Sequence, residues 1–429
     1  MKDFKKNDPK VINGWAMYDW ANSVYSLVIT STIFPIYYSS VTKAAYHGSD
    51  VIFLGIKIDH SVLYSYAISF SFLIVAFLSP ILSGIADYSG NKKGFMKFFA
   101  YLGSISCAAL YFFEGENVVY GIACSIMASI GFAGSIVFYN SFLPEIVTED
   151  KYDAVSAKGF SLGYIGSVIL MIANLIMVLK WKEIGIPSVG LASKLSFVSV
   201  GIWWAGFSQI TFARLPQAVT SNHPKQGLLY KGFNELKKVW HQLGELPNIK
   251  KFLWMYFFTT MGVQTIMYMA AIFGSDQLHL PDGILITTIL VIQLVAILGA
   301  QFFAYVSKKN GNIFAISIMI PIWCLICIGA YFVKDQQMFI VLATVVGLVM
   351  GGIQSMCRST YSKLLPVTKD HASFFSFYDV VEKLGIVLGT FVYGLTAHLS
   401  GDMRNSVWPL LLCFIVSFFL IRTIKLQSE

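Results

Sequence analysis

The chain has 429 residues, of which 56% are hydrophobic and 13% charged, against roughly 45–50% and about 25% in soluble domains. This surplus excludes a soluble globular protein, because runs of about twenty apolar residues recur along almost the whole length. The formal charge of +8 does not signal nucleic acid, since the basic residues fall mainly in short loops on alternate sides of those runs.

In chain order, MKDFKKNDPK reads as a cytoplasmic tail and not a removable signal, because the apolar stretch behind it carries Asp19 and lacks a small-residue cleavage site. Spans are expected near 14–42, 61–86, 95–113, 118–142, 159–179 and 195–214. Six more follow near 250–274, 283–306, 312–333, 337–361, 372–398 and 405–424. The fold class is therefore an all-α membrane protein of twelve transmembrane helices. With both termini inside, the cytoplasmic segments hold 23 Lys and Arg and the outer ones seven, while Lys383 falls within a span. That excess sets the orientation.

The first span places Asp19, Asn22, Ser26, Thr30 and Tyr37 in one sector at about 100° per residue. A carboxylate facing lipid costs several kcal/mol at depth, so this face is expected to line a wet cavity, with Asp19 at headgroup level as the alternative. Between the second and third spans, GIADYSGNKKG makes a tight charged turn. Gly84 should admit a neighbouring helix, Asp87 accept backbone N–H groups at a helix start, and Gly90 relieve the bend beside Lys92 and Lys93.

Asn140 and Asn174 lie in the fourth and fifth spans. Residues 215–249 then divide the chain, and within them Leu229, Phe233, Leu236, Trp240 and Leu243 recur at helical spacing opposite Lys231, Lys237 and Lys238. A helix lying on the cytoplasmic leaflet is expected, with a soluble linker as the alternative. Thr260, Gln264 and Tyr268 form a polar stripe in the seventh span, and Gln293 and Gln354 stand in the eighth and tenth. These groups suit a zwitterionic or polyhydroxy solute, although each could equally make an interhelical hydrogen bond.

Arg358, Asp379, Glu382 and Lys383 lie toward the cytoplasmic ends of spans ten and eleven. Arg358 is expected to face Asp379 or Glu382, and Asp379 to pair with Lys383 one turn on. An unpaired charge there would be costly, so these groups read as a structural ion pair, a gate or a proton-coupling site. All six cysteines lie in spans, and core packing is the reading for Cys324 and Cys327. No nucleotide, metal or catalytic constellation is apparent, so no cofactor is expected and an ATP-driven pump is disfavoured. A polytopic membrane enzyme and a non-transporting receptor are the rival classes.

Shifting the chain by 222 residues sets YNSFLPEI against YSKLLPVT and Leu162–Gly163 on Leu384–Gly385, while a shift of 238 pairs Met17–Tyr18 with Met255–Tyr256. This order supports a six-plus-six duplication, with pseudo-symmetric bundles at 1–214 and 250–429. Gly159 with Gly163, and Gly385 with Gly389, repeat a small-xxx-small spacing for close helix contact.

GIADYSGNKKG resembles the signature loop of the major facilitator superfamily. The equivalent loop AYVSKKNGN is degraded, with Ser307 where the superfamily often has an acid. WAMYDWANSVY, GVQTIMYMAAIFG, GGIQSMCRSTYSKLLP and FFSFYDVVEKLG resemble the vacuole-effluxer-like permeases within it. The resemblance implies solute transport by alternating access, with fungal relatives linked to amino-acid efflux. The expectation is a monomeric secondary transporter of an amino acid or similar small polar solute, coupled to protons or sodium, in contact with lipid and more in keeping with a bacterial inner membrane than an organelle. A sugar, nucleoside or drug-like substrate is the alternative.

Overall fold

The computed structural model describes residues 5–216 and 228–425. Twelve helices among them are long and apolar enough to span a membrane. They are α1 Pro9–Tyr46, α2 His60–Ser89, α3 Lys92–Phe112, α4 Val118–Ile146, α5 Glu149–Leu179, α6 Val189–Arg214, α7 Pro247–Gln277, α8 Gly283–Asn310, α9 Asn312–Phe332, α10 Gln336–Leu364, α11 His371–Ser400 and α12 Met403–Ile421. Every expected span is present, and most extend beyond the apolar runs at one or both ends. Charged residues at those ends stay within the helix because polar caps satisfy its free backbone groups. Asp8 accepts the Lys10 N–H before α1, and Asp59 accepts those of Ser61 and Val62 at the start of α2. Gly90 closes α2 at φ 68°, a left-handed position that costs glycine little.

Two local features escaped the periodicity. An antiparallel hairpin, β1 Asp50–Phe53 and β2 Ile56–Asp59, joins α1 to α2 through Leu54 and Gly55, both at positive φ. Within α1, Tyr25–Thr30 forms a π turn, followed by a break at Thr32 (φ −134°, ψ −80°). That interruption rotates the outer part of the helix, which corrects the continuous polar face expected from Asp19 to Tyr37. Tyr37 instead packs edge-on against Phe113 and Phe197 and donates to the Phe113 carbonyl, inside the core of the first half.

The helices form two six-helix bundles. α2 packs on α11, and α5 packs on α8 and α10, which joins the halves. Gly159 and Gly163 of α5 lie against Asp19 and Ser23 of α1, while Gly385 and Gly389 of α11 lie against Thr260 and Thr265 of α7. The repeated glycine spacing thus performs the same close approach in each half. Large apolar side chains such as Phe77, Leu179 and Leu399 remain exposed, as a lipid-facing surface requires.

The linker forms a helix, Leu228–Glu245, as its spacing predicts. It docks on α2 at a glycine crossing, where Gly84 meets the Gly232 carbonyl and Gly232 meets Ile85. Val239 and Leu243 are buried against the second half, whereas Phe233 and Trp240 are exposed. Lys238 pairs with Asp370 at 2.9 Å, and the neighbouring carboxylate pushes its ammonium pKa up. One face of the helix is thus held by protein contacts, while Phe233 and Trp240 remain exposed on it. The side chains of Leu229 and Lys231 lie outside the described residues.

Candidate functional site

The twelve spans among the described residues place residues 5 and 425 on one side, together with most basic residues. Three polar clusters join the halves between this basic face and the middle of the bundle.

The deepest is built on Arg358 of α10. Its guanidinium reaches Asp19 Oδ2 of α1 at 3.2 and 3.3 Å, Asn140 Oδ1 of α4 at 3.3 Å, and the Ser156 hydroxyl and carbonyl of α5 at 2.9 and 2.8 Å. Tyr139 donates to the same Asp19 oxygen at 2.8 Å. The guanidinium carbon sits 4.8 Å from the Trp15 ring centroid and 4.1 Å from that of Phe160. Asp19 and Arg358 are both buried. A planar fork with five donors suits this ring of acceptors, and its faces can stack on aromatic rings. The structure thus overturns the expected pairing of Arg358 with Asp379 or Glu382. The arginine turns away from α11 because the first half supplies a carboxylate, an amide oxygen, two serine oxygens and aromatic walls.

The second cluster is built on Asp87 at the end of α2. Its oxygens accept the backbone N–H groups of Ala372 at 3.2 Å and Ser373 at 2.7 Å, and the Ser373 hydroxyl at 2.7 Å. These are free N–H groups in the first turn of α11, where a carboxylate also meets the positive end of the helix dipole. Lys92 lies 3.0 Å from Asp87 and 2.5 Å from Glu145, and donates to the Lys369 carbonyl at 3.2 Å. His371 contacts Glu145 at 3.2 Å. Lys93 donates to the Leu215 carbonyl within the first half.

The third cluster occupies the degraded loop. Ser307 of α8 contacts Asp153 of α5 at 3.0 Å and Asn312 at 2.8 Å. Asn312 also donates to Asp153 at 2.7 Å, and Lys363 of α10 pairs with Asp153 at 2.8 Å. A shift of 220 residues sets Asp87 on Ser307, Lys92 on Asn312 and Asp153 on Ser373. The acid missing from position 307 is therefore supplied by the opposite half, and donor and acceptor have changed places. The second loop forms a cross-half contact of reversed polarity.

The remaining polar residues are more dispersed. Gln264 donates to Glu382 at 3.1 Å, and Lys383 lies 3.2 Å from both Asp379 and Glu382, as the expected Asp379–Lys383 pairing requires. Tyr268 approaches Phe72 across the halves, with ring centroids 6.5 Å apart. Gln354 accepts from Tyr164 at 2.8 Å, again across the halves. Asn174 accepts from Ser199 and so ties α5 to α6. Asn22 Nδ2 and Gln293 Oε1 are buried without a hydrogen-bond partner among the described residues, and Ser26 donates to the Ser23 carbonyl in its own helix.

Sequence reasoning missed Tyr139, Glu145, Asp153, Ser156, Asn312, Lys363 and His371 as site residues. Tyr139 and Glu145 stand in YNSFLPEI, whose charged residue beside Pro144 offered a signal. Asp153 and Asn312 lie at helix starts, where polar residues commonly serve as caps and so draw no notice.

The chain matches the family described as "Vacuole effluxer Atg22 like" over residues 7–429. It is 33% identical over 432 residues to the uncharacterized MFS-type transporter YxiO of Bacillus subtilis, covering 100% of this chain and 97% of that protein. It is 24% identical over 516 residues to autophagy-related protein 22 of Chaetomium globosum, covering 95% of this chain and 78% of that one. In structure it resembles the major facilitator transporter FucP in its outward conformation, with a TM-score of 0.71 at 13% identity over 98% of this chain and 99% of that one. The proton:xylose symporter XylE matches with a TM-score of 0.70 at 11% identity, over 96% and 95% of the two chains. The family and fold are those of membrane transporters and not of enzymes, and this chain belongs to the vacuole effluxer Atg22-like family of the major facilitator superfamily.

Proposed function

We propose that the protein is a secondary active transporter that moves a small polar organic solute, an amino acid or a similar molecule, by alternating access and with coupling to an ion gradient. The carrying observation is the placement of the named cross-half hydrogen bonds, which all lie between the basic face and the middle of the bundle. This is the arrangement of a carrier shut on one side, which releases those bonds when the halves rock.

In this reading the bodies that rock are residues 1–214 and 250–429, with 215–249 between them. The basic face is cytoplasmic by charge asymmetry, the membrane is a bacterial plasma membrane, and the protein works as a monomer. Asp19 and Asn140 are held by Arg358 in the shut state and become free to meet solute when it opens. Gln264, Tyr268 and Gln354 supply further donors and acceptors. The family description, a vacuole effluxer, supports movement of a solute across a membrane.

The test is flux into proteoliposomes from a panel of amino acids, sugars and nucleosides, with and without a proton or sodium gradient. Saturable uptake of an amino acid that a gradient accelerates is expected. Failure of every solute to move, alongside turnover of a lipid-linked substrate, would overturn it.

A further inference from the structure

Within two turns of α11 stand two carboxylates and one ammonium. Lys383 Nζ lies 3.2 Å from Asp379 Oδ1 and 3.2 Å from Glu382 Oε2. The Asp379 and Lys383 side chains are 3% and 7% exposed, whereas Glu382 is 18% exposed. Neither Asp379 oxygen makes a directed hydrogen bond among the described residues, although Oδ1 lies at ion-pair distance from Lys383. On α7, Gln264 donates to Glu382, and Tyr256 and Tyr268 face the triad. The Phe72 ring of α2 lies 5.7 Å from Lys383 Nζ, and Cys357 of α10 and Tyr378 of α11 complete the surroundings. Arg358 of α10 is engaged by Asp19, Asn140 and Ser156. With both acids ionised, the triad keeps one unbalanced negative charge in an apolar bundle. Such a charge is costly, and a proton removes it.

We propose that Asp379, Glu382 and Lys383 form the protein's proton-binding site, with Asp379 Oδ2 taking the proton and the more accessible Glu382 carboxylate relaying it from water. The proposal rests on the ion-coupled transport reading for its purpose, and on the geometry alone for its existence. The step balances simply. Water-borne H⁺ binds a Glu382 oxygen and passes to Asp379 Oδ2, leaving neutral Asp379 beside a Glu382–Lys383 pair of zero net charge. Release reverses the order. The neutral triad is the form that passes through the occluded bundle at least electrostatic cost, so conformational change and proton carriage are linked. A proton is favoured over a metal cation because the Lys383 ammonium already sits between the carboxylates. The Asp19–Arg358 pair is a poor proton site, since one acid there faces one base and its charged form accepts three donors.

The test is infrared difference spectroscopy of the full-length protein in lipid nanodiscs as the pH is lowered, which needs no identified solute. A protonated-carboxyl band should grow in on acidification, vanish in Asp379→Asn and persist in Asp19→Asn. In Glu382→Gln the band should appear about one pH unit lower or further, and in Lys383→Met about one unit higher or further, because each removes a neighbouring charge of opposite sign. These opposite shifts carry the test if Asp379→Asn does not fold. An undiminished band in Asp379→Asn, or an unmoved band in both neighbour variants, would overturn the proposal. In proteoliposomes, Asp379→Asn should keep solute exchange and lose pH-driven accumulation. A wild-type band of the expected behaviour without flux of any amino acid, sugar or nucleoside would count against the transport reading and support the proton site.

Discussion

Arg358 of α10 and Asp19 of α1 meet at 3.2 Å across the two halves, both buried, with the guanidinium against Trp15 and Phe160. Removing one partner leaves the other charge buried and unpaired, at a cost of about 3–5 kcal/mol. Arg358→Met should therefore lower thermal stability sharply in the state shut at the basic face. Asp19→Leu combined with Arg358→Met should recover much of that loss. A double variant as unstable as the sum of the two single ones would show that the pair does not act as a unit.

The reversed cluster invites a swap. Ser307→Asp alone sets a second carboxylate against Asp153, now 3.0 Å from the serine hydroxyl, and should slow solute flux by favouring an open basic face. Ser307→Asp with Asp153→Ser reproduces the polarity of the Asp87–Ser373 contact and should restore flux toward wild type. Equal flux in the single and double variants would contradict this.

Asp87→Asn keeps an oxygen for the α11 N–H groups but loses the charge that holds Lys92. It is expected to slow flux more than it weakens solute binding, since Asp87 touches the start of a helix and not the middle of the bundle. Equal loss of both, measured by transport and by equilibrium binding in detergent, would argue for misfolding or direct contact.

Gly84 lies against the Gly232 carbonyl, so a side chain at position 84 must push the linker helix away. Gly84→Val should make a cysteine placed at buried Val239 reactive to a water-soluble maleimide. Continued protection would show that the helix is held elsewhere.

Asp59 caps α2 beside the hairpin, and its bonds from the Ser61 hydroxyl and the backbone N–H groups of Ser61 and Val62 hold its pKa at about 2. A depressed carboxylate contributes stability above its unfolded pKa of about 3.9. That contribution fades as the pH falls through about 2. Asp59→Ala should cost about 0.5–2 kcal/mol at neutral pH, whereas Asp59→Asn, also a good cap, should cost little. Hydrogen exchange at the Ser61 and Val62 amides would separate the two.

Helix count and the paired Gly159–Gly163 and Gly385–Gly389 contacts were legible in the sequence because hydropathy and spacing act locally. Asp87 was legible for the same reason, since the charged turn and the start of α11 are each visible in the chain. The partner of Arg358 was not, because charge and depth match several acids and the choice among them depends on which way α10 faces. The role of Asp153 was hidden as well, since its meaning comes from Ser307 in the other half. The rotation at Tyr25–Thr30 followed from a π turn that a fixed helical period cannot register.

The central claim is that cross-half bonds shut the basic face and that their release opens it. Spin-label distances in nanodiscs test it most directly, with one pair at the basic ends of α2 and α11 and another at the opposite ends of α1 and α7. In the Asp19→Asn, Asp87→Asn double variant the first distance should lengthen and the second shorten relative to wild type. Unchanged distances at both ends in a folded double variant would contradict the account.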